Sequence, residues 1–388
     1  MLKPRSLTPA ASAHLDFVRA LAAWAVMWGH VRGDFFVDFE SLRRKNILLE
    51  VLYFLTGFGH QAVMVFFVLS GFLISSSIFG SYASGKWSWR DYAINRASRL
   101  YVVLIPGLFF GFLWDKIGSS VFASTGLYSH PLQNFGSAIA QNQLTPGDFF
   151  GNMLFLQTIF CPTFGSNGPL WSLSNEFWYY VLFPVGLFAG LAWANRSMRQ
   201  AIPLTILALA LLAFLGLDKD EGFVVWLAGC VLVLAYSVLQ SPAMRWFIPY
   251  AIVAMTALPV CLIAARTGRL RELGTDLSIG LAFALFLFVV LYVDFGGKSE
   301  PYRRTAHFFA GFSYSLYVLH FPLLLLLRAW LVPSQRWQPD GRHLIFGALI
   351  GVAVLAFAWL VSTFTESKTH VVRNWIKSLV RGAAGLLV

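Results

Sequence analysis

An all-α membrane protein, a polytopic bundle of about ten transmembrane helices with a long polar outer loop, is the fold class this sequence predicts, on three observations. Apolar residues make up 57% of the 388 and charged residues 12%, about half the charged share of ordinary globular chains. The charges gather in short segments between long runs free of Asp, Glu, Lys and Arg. Those runs reach about 20 residues, the length that carries a helix across ~30 Å of hydrocarbon with every backbone group satisfied internally. Such a balance excludes a water-soluble fold, and the net charge of +11 reads as anchoring at the membrane surface rather than as nucleic-acid binding.

Ten windows qualify as spans: 15–33, 58–80, 100–117, 169–193, 201–217, 222–240, 246–265, 276–293, 306–328 and 343–365, each bounded by charge, Gly or Pro. The first follows Lys3 and Arg5 with no cleavage site after a short apolar core, so it reads as an uncleaved anchor. With both termini cytoplasmic, the inner segments hold the larger share of the 29 Lys+Arg, as the positive-inside bias requires. Arg266, Arg269 and Arg271 run against it, because that segment would face outward. The longest connection, 118–168, is polar and almost uncharged, yet its stretch 149–160 is apolar enough to dip into the membrane. No repeat or linker divides the chain, so residues 1–388 read as one transmembrane domain with its core at 15–370. Cys161, Cys230 and Cys261 have no CxxC or His-paired spacing, which predicts neither a disulfide framework nor a zinc site. No His/Asp/Glu cluster has the spacing of metal ligands.

Polar groups inside the apolar windows carry the functional signal, since an ionisable side chain at membrane depth is costly and faces a partner or a wet cavity. In the first window, LDFVRALAAWAVMWGHV, Asp16, Arg19 and His30 fall within about 60° of one another on a helix turning ~100° per residue. Arg19 and His30 lie on nearly the same face, ~16 Å apart in rise, with Asp16 one turn below Arg19. A plainer reading has Arg19 snorkelling to the headgroups with Asp16 and His30 marking the far interface. Glu176 is the only carboxylate in the otherwise uncharged run 149–195 and must have a partner. Ser70-Gly71 lacks the G-x-S-x-G elbow of a nucleophile and reads as a site of close helix packing. His60 and many of the aromatic residues read as interfacial.

Several of these segments stand in a recognisable order. The Arg19-X10-His30 pair is followed by FFVLSGFLI at 66–74, by Arg96-Ala-Ser-Arg99 before LYVVLIP, by PLWSLSNEFWYYVLFP at 169–184 and by FSYSLYVLHFP at 312–322. In this order they resemble the bacterial acyltransferase-3 family of integral membrane O-acyltransferases, with its RxxR element, its WSL-x-x-E-x-x-Y segment and its S-Y-x-x-Y-x-x-H helix. The likeness extends from about residue 15 to 370. One departure is Glu366-Ser367-Lys368, where the family commonly has Pro two positions after the Glu.

The resemblance implies transfer of an acyl group, most often acetyl from cytosolic acetyl-CoA, to a hydroxyl of a glycan or glycolipid at a bacterial inner membrane, with no permanently bound cofactor. Under it, Arg96 and Arg99, three apart at the cytoplasmic end of the third window, are expected to hold the donor's phosphates; ordinary positive-inside anchoring is the bland alternative. His30 is the expected general base, with an acyl-His intermediate as the other route. Arg19 is expected to orient the thioester or bear developing negative charge, and Glu176 to hold the His30 imidazole or a sugar hydroxyl. Asp16, Trp171, Asn175, Tyr317 and His320 complete the expected substrate-binding set. A carrier of a small solute or glycan precursor is the competing class, but the paired repeats with interrupted helices typical of carriers are not visible. A sensor that keeps the scaffold without turnover is a third reading.

Overall fold

The computed structural model describes residues 3–129, 143–216, 220–239, 244–270, 274–294 and 300–385. They form fourteen α-helices: α1 Pro9–Phe35, α2 Ile47–Leu55, α3 Gly59–Ala83, α4 Trp89–Val121, α5 Pro146–Met153, α6 Leu170–Ala194, α7 Met198–Leu215, α8 Asp220–Val238, α9 Met244–Arg266, α10 Thr275–Val290, α11 Glu300–Ala310, α12 Ser313–Leu331, α13 Gly341–Phe364 and α14 Thr369–Gly385. Among the described residues there is no β-strand, only the isolated bridges Phe36 to Trp337 and Gln157 to Cys161. Eight helical stretches among the described residues are long and apolar enough to cross a membrane. The chain is a multi-pass all-α membrane protein.

Of the ten windows read from the sequence, the two outside these eight differ for physical reasons. The helix of the first, α1, carries Asp16, Arg19, Arg32 and Asp34 among its residues. The eighth, α10, has 16 residues, or about 24 Å of rise, short of the ~30 Å hydrocarbon layer. Boundaries shift where capping overrides apolarity. Ser88 caps the Asp91 N–H, so α4 begins eleven residues before the window at 100 and takes Arg96 and Arg99 into its body. Asn46 caps α2 by accepting from Leu49, a helix that hydropathy did not separate from the preceding loop. In the long connection before α6, Thr145 caps α5, and the apolar stretch after it leaves Phe150 and Phe160 exposed. Arg269 is exposed beyond the end of α9, and Arg271 lies outside the described residues.

The chain divides into two compact units. Unit 1 contains Met1–Leu15, Val63–Trp87 and Ser172–Arg303. Its core is a backbone-to-backbone contact between α3 and α8. A Cβ on Gly71 would lie 1.9 Å from the Trp226 carbonyl oxygen, and one on Gly229 would lie 2.1 Å from that of Val68. Small residues thus let two apolar helices approach closely, the usual device where water supplies no driving force between helices. The Trp226 indole is fully buried there, 5.0 Å from the Phe183 ring and 6.0 Å from Phe223. The packing reading of Ser70-Gly71 holds for Gly71.

Unit 2 contains Asp16–Ala62, Ser88–Trp171 and Arg304–Val388. Here α12 packs between α4 and α13, with a Cβ on Gly107 falling 2.3 Å from the Val318 side chain. Gly351 of α13 receives the Trp28 indole of α1, where a Cβ would meet it at 2.1 Å. Beyond α1, Arg336 donates to Gly33 O and to both Asp38 carboxylate oxygens. That hydrogen bonding holds the Asp38 carboxyl below the usual carboxylate range.

The glycine contact in unit 1 is testable. Gly71→Val inserts atoms against backbone that cannot yield, so it is expected to abolish recovery of monodisperse protein in detergent size-exclusion chromatography. Gly186→Ala on α6, where nothing lies within 4 Å, is expected to leave recovery and Tm unchanged or slightly raised.

Candidate functional site

The polar stripe of α1 ends in two different environments, both within unit 2. At the first, Arg19 donates to Asp16 Oδ1 at 3.0 Å and to the Ala310 carbonyl oxygen at 3.3 Å. Asp16 Oδ2 faces His307 Nδ1 at 3.2 Å, and Ser313 Oγ donates to the same Ala310 carbonyl at 2.8 Å. The Arg19 guanidinium therefore meets protein partners on the α11–α12 connection, as its place on the polar stripe requires.

Glu366, which the sequence left without a role, closes this end. Its Oε2 accepts from the Ser315 backbone N–H and from Ser315 Oγ, both at 2.9 Å. Ser315 is the third residue of α12, whose own N-cap, Phe312, offers no side-chain bond. A carboxylate from the turn that follows α13 thus satisfies a helix N–H that would otherwise lack an acceptor, at the positive end of the helix dipole. Arg99 acts electrostatically on both Glu366 and Arg19, so two guanidiniums and two carboxylates share this end. Arg96, one turn before Arg99 on α4, places its guanidinium 5.8 Å from the Tyr92 ring centroid.

At the other end, His30 Nδ1 lies 2.7 Å from His320 Nε2. The two ring planes are 8° apart with centroids separated by 4.9 Å. Rings stacked face to face keep their atoms ~3.5 Å apart, so an N···N contact of 2.7 Å means the imidazoles meet edge to edge in nearly one plane. His320 is fully buried, and its Nδ1 lies 3.0 Å from the Leu316 carbonyl oxygen and 2.9 Å from that of Tyr317. The Phe321 ring stands edge-on to His30, with centroids 5.1 Å apart.

The segment leading into α6 is fastened to this part of α12. Pro322 has no N–H, which leaves the Val318 carbonyl one turn earlier without its helical donor; Asn167 Nδ2 supplies one at 2.9 Å. Tyr317 OH donates to the Pro169 carbonyl at 3.1 Å. Ser166 donates through N and Oγ to the buried Asp115 of α4, at 2.7 and 2.6 Å. Gly165, at φ +57°, lies so close that a Cβ would meet Asp115 Oδ2 at 2.1 Å. Trp171 lies 6.0 Å from the His60 ring, nearly parallel to it.

Glu176 and Asn175 belong to unit 1. Glu176 Oε1 accepts from Ser70 Oγ at 3.0 Å and from Tyr180 OH, and Trp226 Nε1 donates to Ser70 Oγ at 3.2 Å. The partner that this lone carboxylate required is thus Ser70 of α3, with Tyr180 one turn along α6, rather than the His30 imidazole. Asn175 is buried, and its Oδ1 meets no hydrogen-bond partner among the described residues.

The structure therefore brings together Asp16, Arg19 and Arg99, and separately His30 with His320, all in unit 2. Sequence reasoning missed Glu366 as the carboxylate facing Arg19 and Arg99, and Ser70 as the partner of Glu176. For Glu366 a signal existed, because it is the only acidic residue between the last apolar window and the C-terminus.

A model of an acyltransferase domain, that of the acyltransferase-3 family, matches residues 12–363. The chain belongs to this family. It is 23% identical over 317 residues, 74% of this chain and 48% of the relative, to a Bacillus subtilis (strain 168) protein named as a peptidoglycan O-acetyltransferase, YrhL. It is 28% identical over 160 residues, 41% of this chain and 42% of the relative, to the O-acetyl transferase of Shigella phage Sf6. The matched regions cover less than half the length of each of these relatives. No solved structure matches the chain.

The carboxylate at the start of α12 yields a measurable expectation. Glu366→Ala leaves the Ser315 N–H and Oγ without their acceptor, at a cost of roughly 1–3 kcal/mol. It should lower the Tm of the detergent-solubilised protein, and Glu366→Gln, which keeps an acceptor oxygen, should recover most of the loss.

Proposed function

We propose that this protein is an integral membrane O-acetyltransferase of the bacterial inner membrane, moving an acetyl group from cytosolic acetyl-CoA to a hydroxyl of a cell-surface glycan, lipid-linked sugar or glycoside. The observation that carries the proposal is the division of α1 into a cationic end, where Arg19 lies in the field of Arg99, and an imidazole end ~16 Å along the same face. A CoA thioester has the matching polarity, with several phosphate charges at one end and an uncharged carbonyl at the other. Family membership and the names of both relatives support acetyl as the group transferred, and the name of the first supports a glycan as the acceptor.

In this reading Arg96 and Arg99 bind donor phosphates from the cytoplasmic side, as charge-assisted donors do. Arg19, held by Asp16, orients the donor and offers fixed positive charge where low dielectric strengthens it. His30 removes the proton of the acceptor hydroxyl as that oxygen attacks the thioester carbonyl. The tetrahedral intermediate then collapses, the carbon–sulfur bond breaks, and the departing thiolate takes the proton back from His30. Tyr317 and Trp171 bound the acceptor's approach. Glu176 and the buried Asn175 amide, in unit 1, offer a carboxylate and an amide oxygen of the kind that suits sugar hydroxyls. Both termini are cytoplasmic in this proposal.

The test uses the protein in nanodiscs with labelled acetyl-CoA and a glycan acceptor, following both free CoA thiol and acetylated product. His30→Ala should reduce acceptor-dependent turnover by about 10²- to 10⁴-fold, the usual contribution of a positioned general base; turnover equal to wild type would overturn the assignment. Arg96→Ala combined with Arg99→Ala should raise the KM for acetyl-CoA at least about tenfold, the equivalent of one lost charge-assisted hydrogen bond of ~1.5 kcal/mol, and leave the KM for acceptor unchanged.

A further inference from the structure

The contact between His30 and His320 fixes more than a position. His320 Nδ1 faces two backbone carbonyl oxygens, those of Leu316 and Tyr317, and a carbonyl oxygen can only accept. The proton of the neutral His320 ring is therefore on Nδ1, and its Nε2 carries a lone pair. Across the 2.7 Å contact one nitrogen must donate, and only His30 Nδ1 can do so. The His30 lone pair consequently resides on Nε2. The near-coplanar, edge-on arrangement of the rings directs the His30 N–H along the His320 lone pair, the geometry such a bond prefers.

We infer that His320 is a positioning residue that holds His30 in the Nδ1–H tautomer, so that Nε2 is the nitrogen that takes the acceptor's proton. The inference rests on the reading of His30 as the general base and deepens it. Serine hydrolases set the tautomer of their histidine with a buried carboxylate; here a second neutral imidazole, locked by its own helix turn, performs the task. A neutral orienter suits a fully buried position inside a membrane, where an isolated carboxylate would be costly. When His30 gains its proton at Nε2, its Nδ1–H remains bonded to His320, so proton transfer requires no rearrangement of the pair. An attack by His30 itself on the thioester would use the same Nε2 lone pair.

Two substitutions separate this role from simple packing. In His320→Gln the longer amide can present its oxygen near the former Nε2, keeping an acceptor for His30. In His320→Asn the shorter amide reaches only the former Nδ1 position, keeping the helix bond and losing that acceptor. With acetyl-CoA and the glycan acceptor in nanodiscs, kcat of His320→Asn is expected to fall by about 10²- to 10⁴-fold with the KM for acetyl-CoA within about threefold of wild type. His320→Gln is expected to retain kcat within about tenfold.

The second readout needs no turnover. In ¹⁵N-histidine-labelled protein, the His30 signals, assigned by their loss in His30→Ala, should report a protonated Nδ1 and an unprotonated Nε2 in wild type and His320→Gln. In His320→Asn this pattern should be lost. A wild-type spectrum with the proton on Nε2, or a His320→Asn enzyme with wild-type kcat, would overturn the inference. If wild-type protein transfers no acetyl group at all, the functional proposal fails, while the spectra still decide the tautomer. If His320→Asn does not fold, the wild-type and His320→Gln spectra decide it.

Discussion

The polar stripe of α1 is arranged by one constraint: a charged or hydrogen-bonding side chain within the hydrocarbon layer is best answered by the protein itself, because lipid tails offer neither donors nor acceptors. This constraint sets the rotation of α1 about its axis. Turned the other way, the helix would present the Arg19 guanidinium and the His30 imidazole to acyl chains. In the orientation observed, Asp16 and the Ala310 carbonyl meet the guanidinium, and His320 meets the imidazole. The rotation that satisfies these groups also aims them at the interior of unit 2, where α11 supplies the Ala310 carbonyl and α12 the His320 imidazole.

The two ends of the stripe satisfy the constraint in different ways, and the difference has chemical consequences. Around Arg19 the solution is ionic: two guanidiniums, two carboxylates and a helix N-terminus offset one another at a partly exposed site. Around His30 the solution is neutral, with two imidazoles and two helix carbonyls exchanging hydrogen bonds without a net charge. A neutral base that keeps its lone pair in a fixed direction needs no compensating ion until the moment it accepts a proton. Prolines contribute where they free a carbonyl: Pro322 leaves the Val318 oxygen to Asn167, which ties the chain entering α6 to the helix that carries His320.

Much of this was legible in the residues. The apolar runs mark the spanning helices because crossing length is a property of a contiguous segment, and the common face of Asp16, Arg19 and His30 follows from helical periodicity alone. Glu176 was recognisable as a carboxylate that had to find a partner. Its partner was not recognisable, since Ser70 reads locally as half of a small-residue packing pair. The same holds for Glu366, which caps α12 from 51 positions away, and for His320, 290 positions from His30. The helices α2 and α5 were missed because each lies in a connection and owes its start to a capping side chain rather than to a long apolar run.

What the amino-acid order determined by itself is therefore that the chain is a multi-pass membrane protein, where eight of its long apolar helical stretches lie, and which face of α1 must turn inward, because these depend on composition and on the 3.6-residue period within one segment. Tertiary structure alone decided which groups answer one another: Ser315 with Glu366, Ser70 with Glu176, and the imidazole of α12 with that of α1. Hydrogen bonds act over ~3 Å and carry no mark in local sequence, so the nitrogen of His30 that keeps its lone pair is fixed only when a distant helix is packed against it.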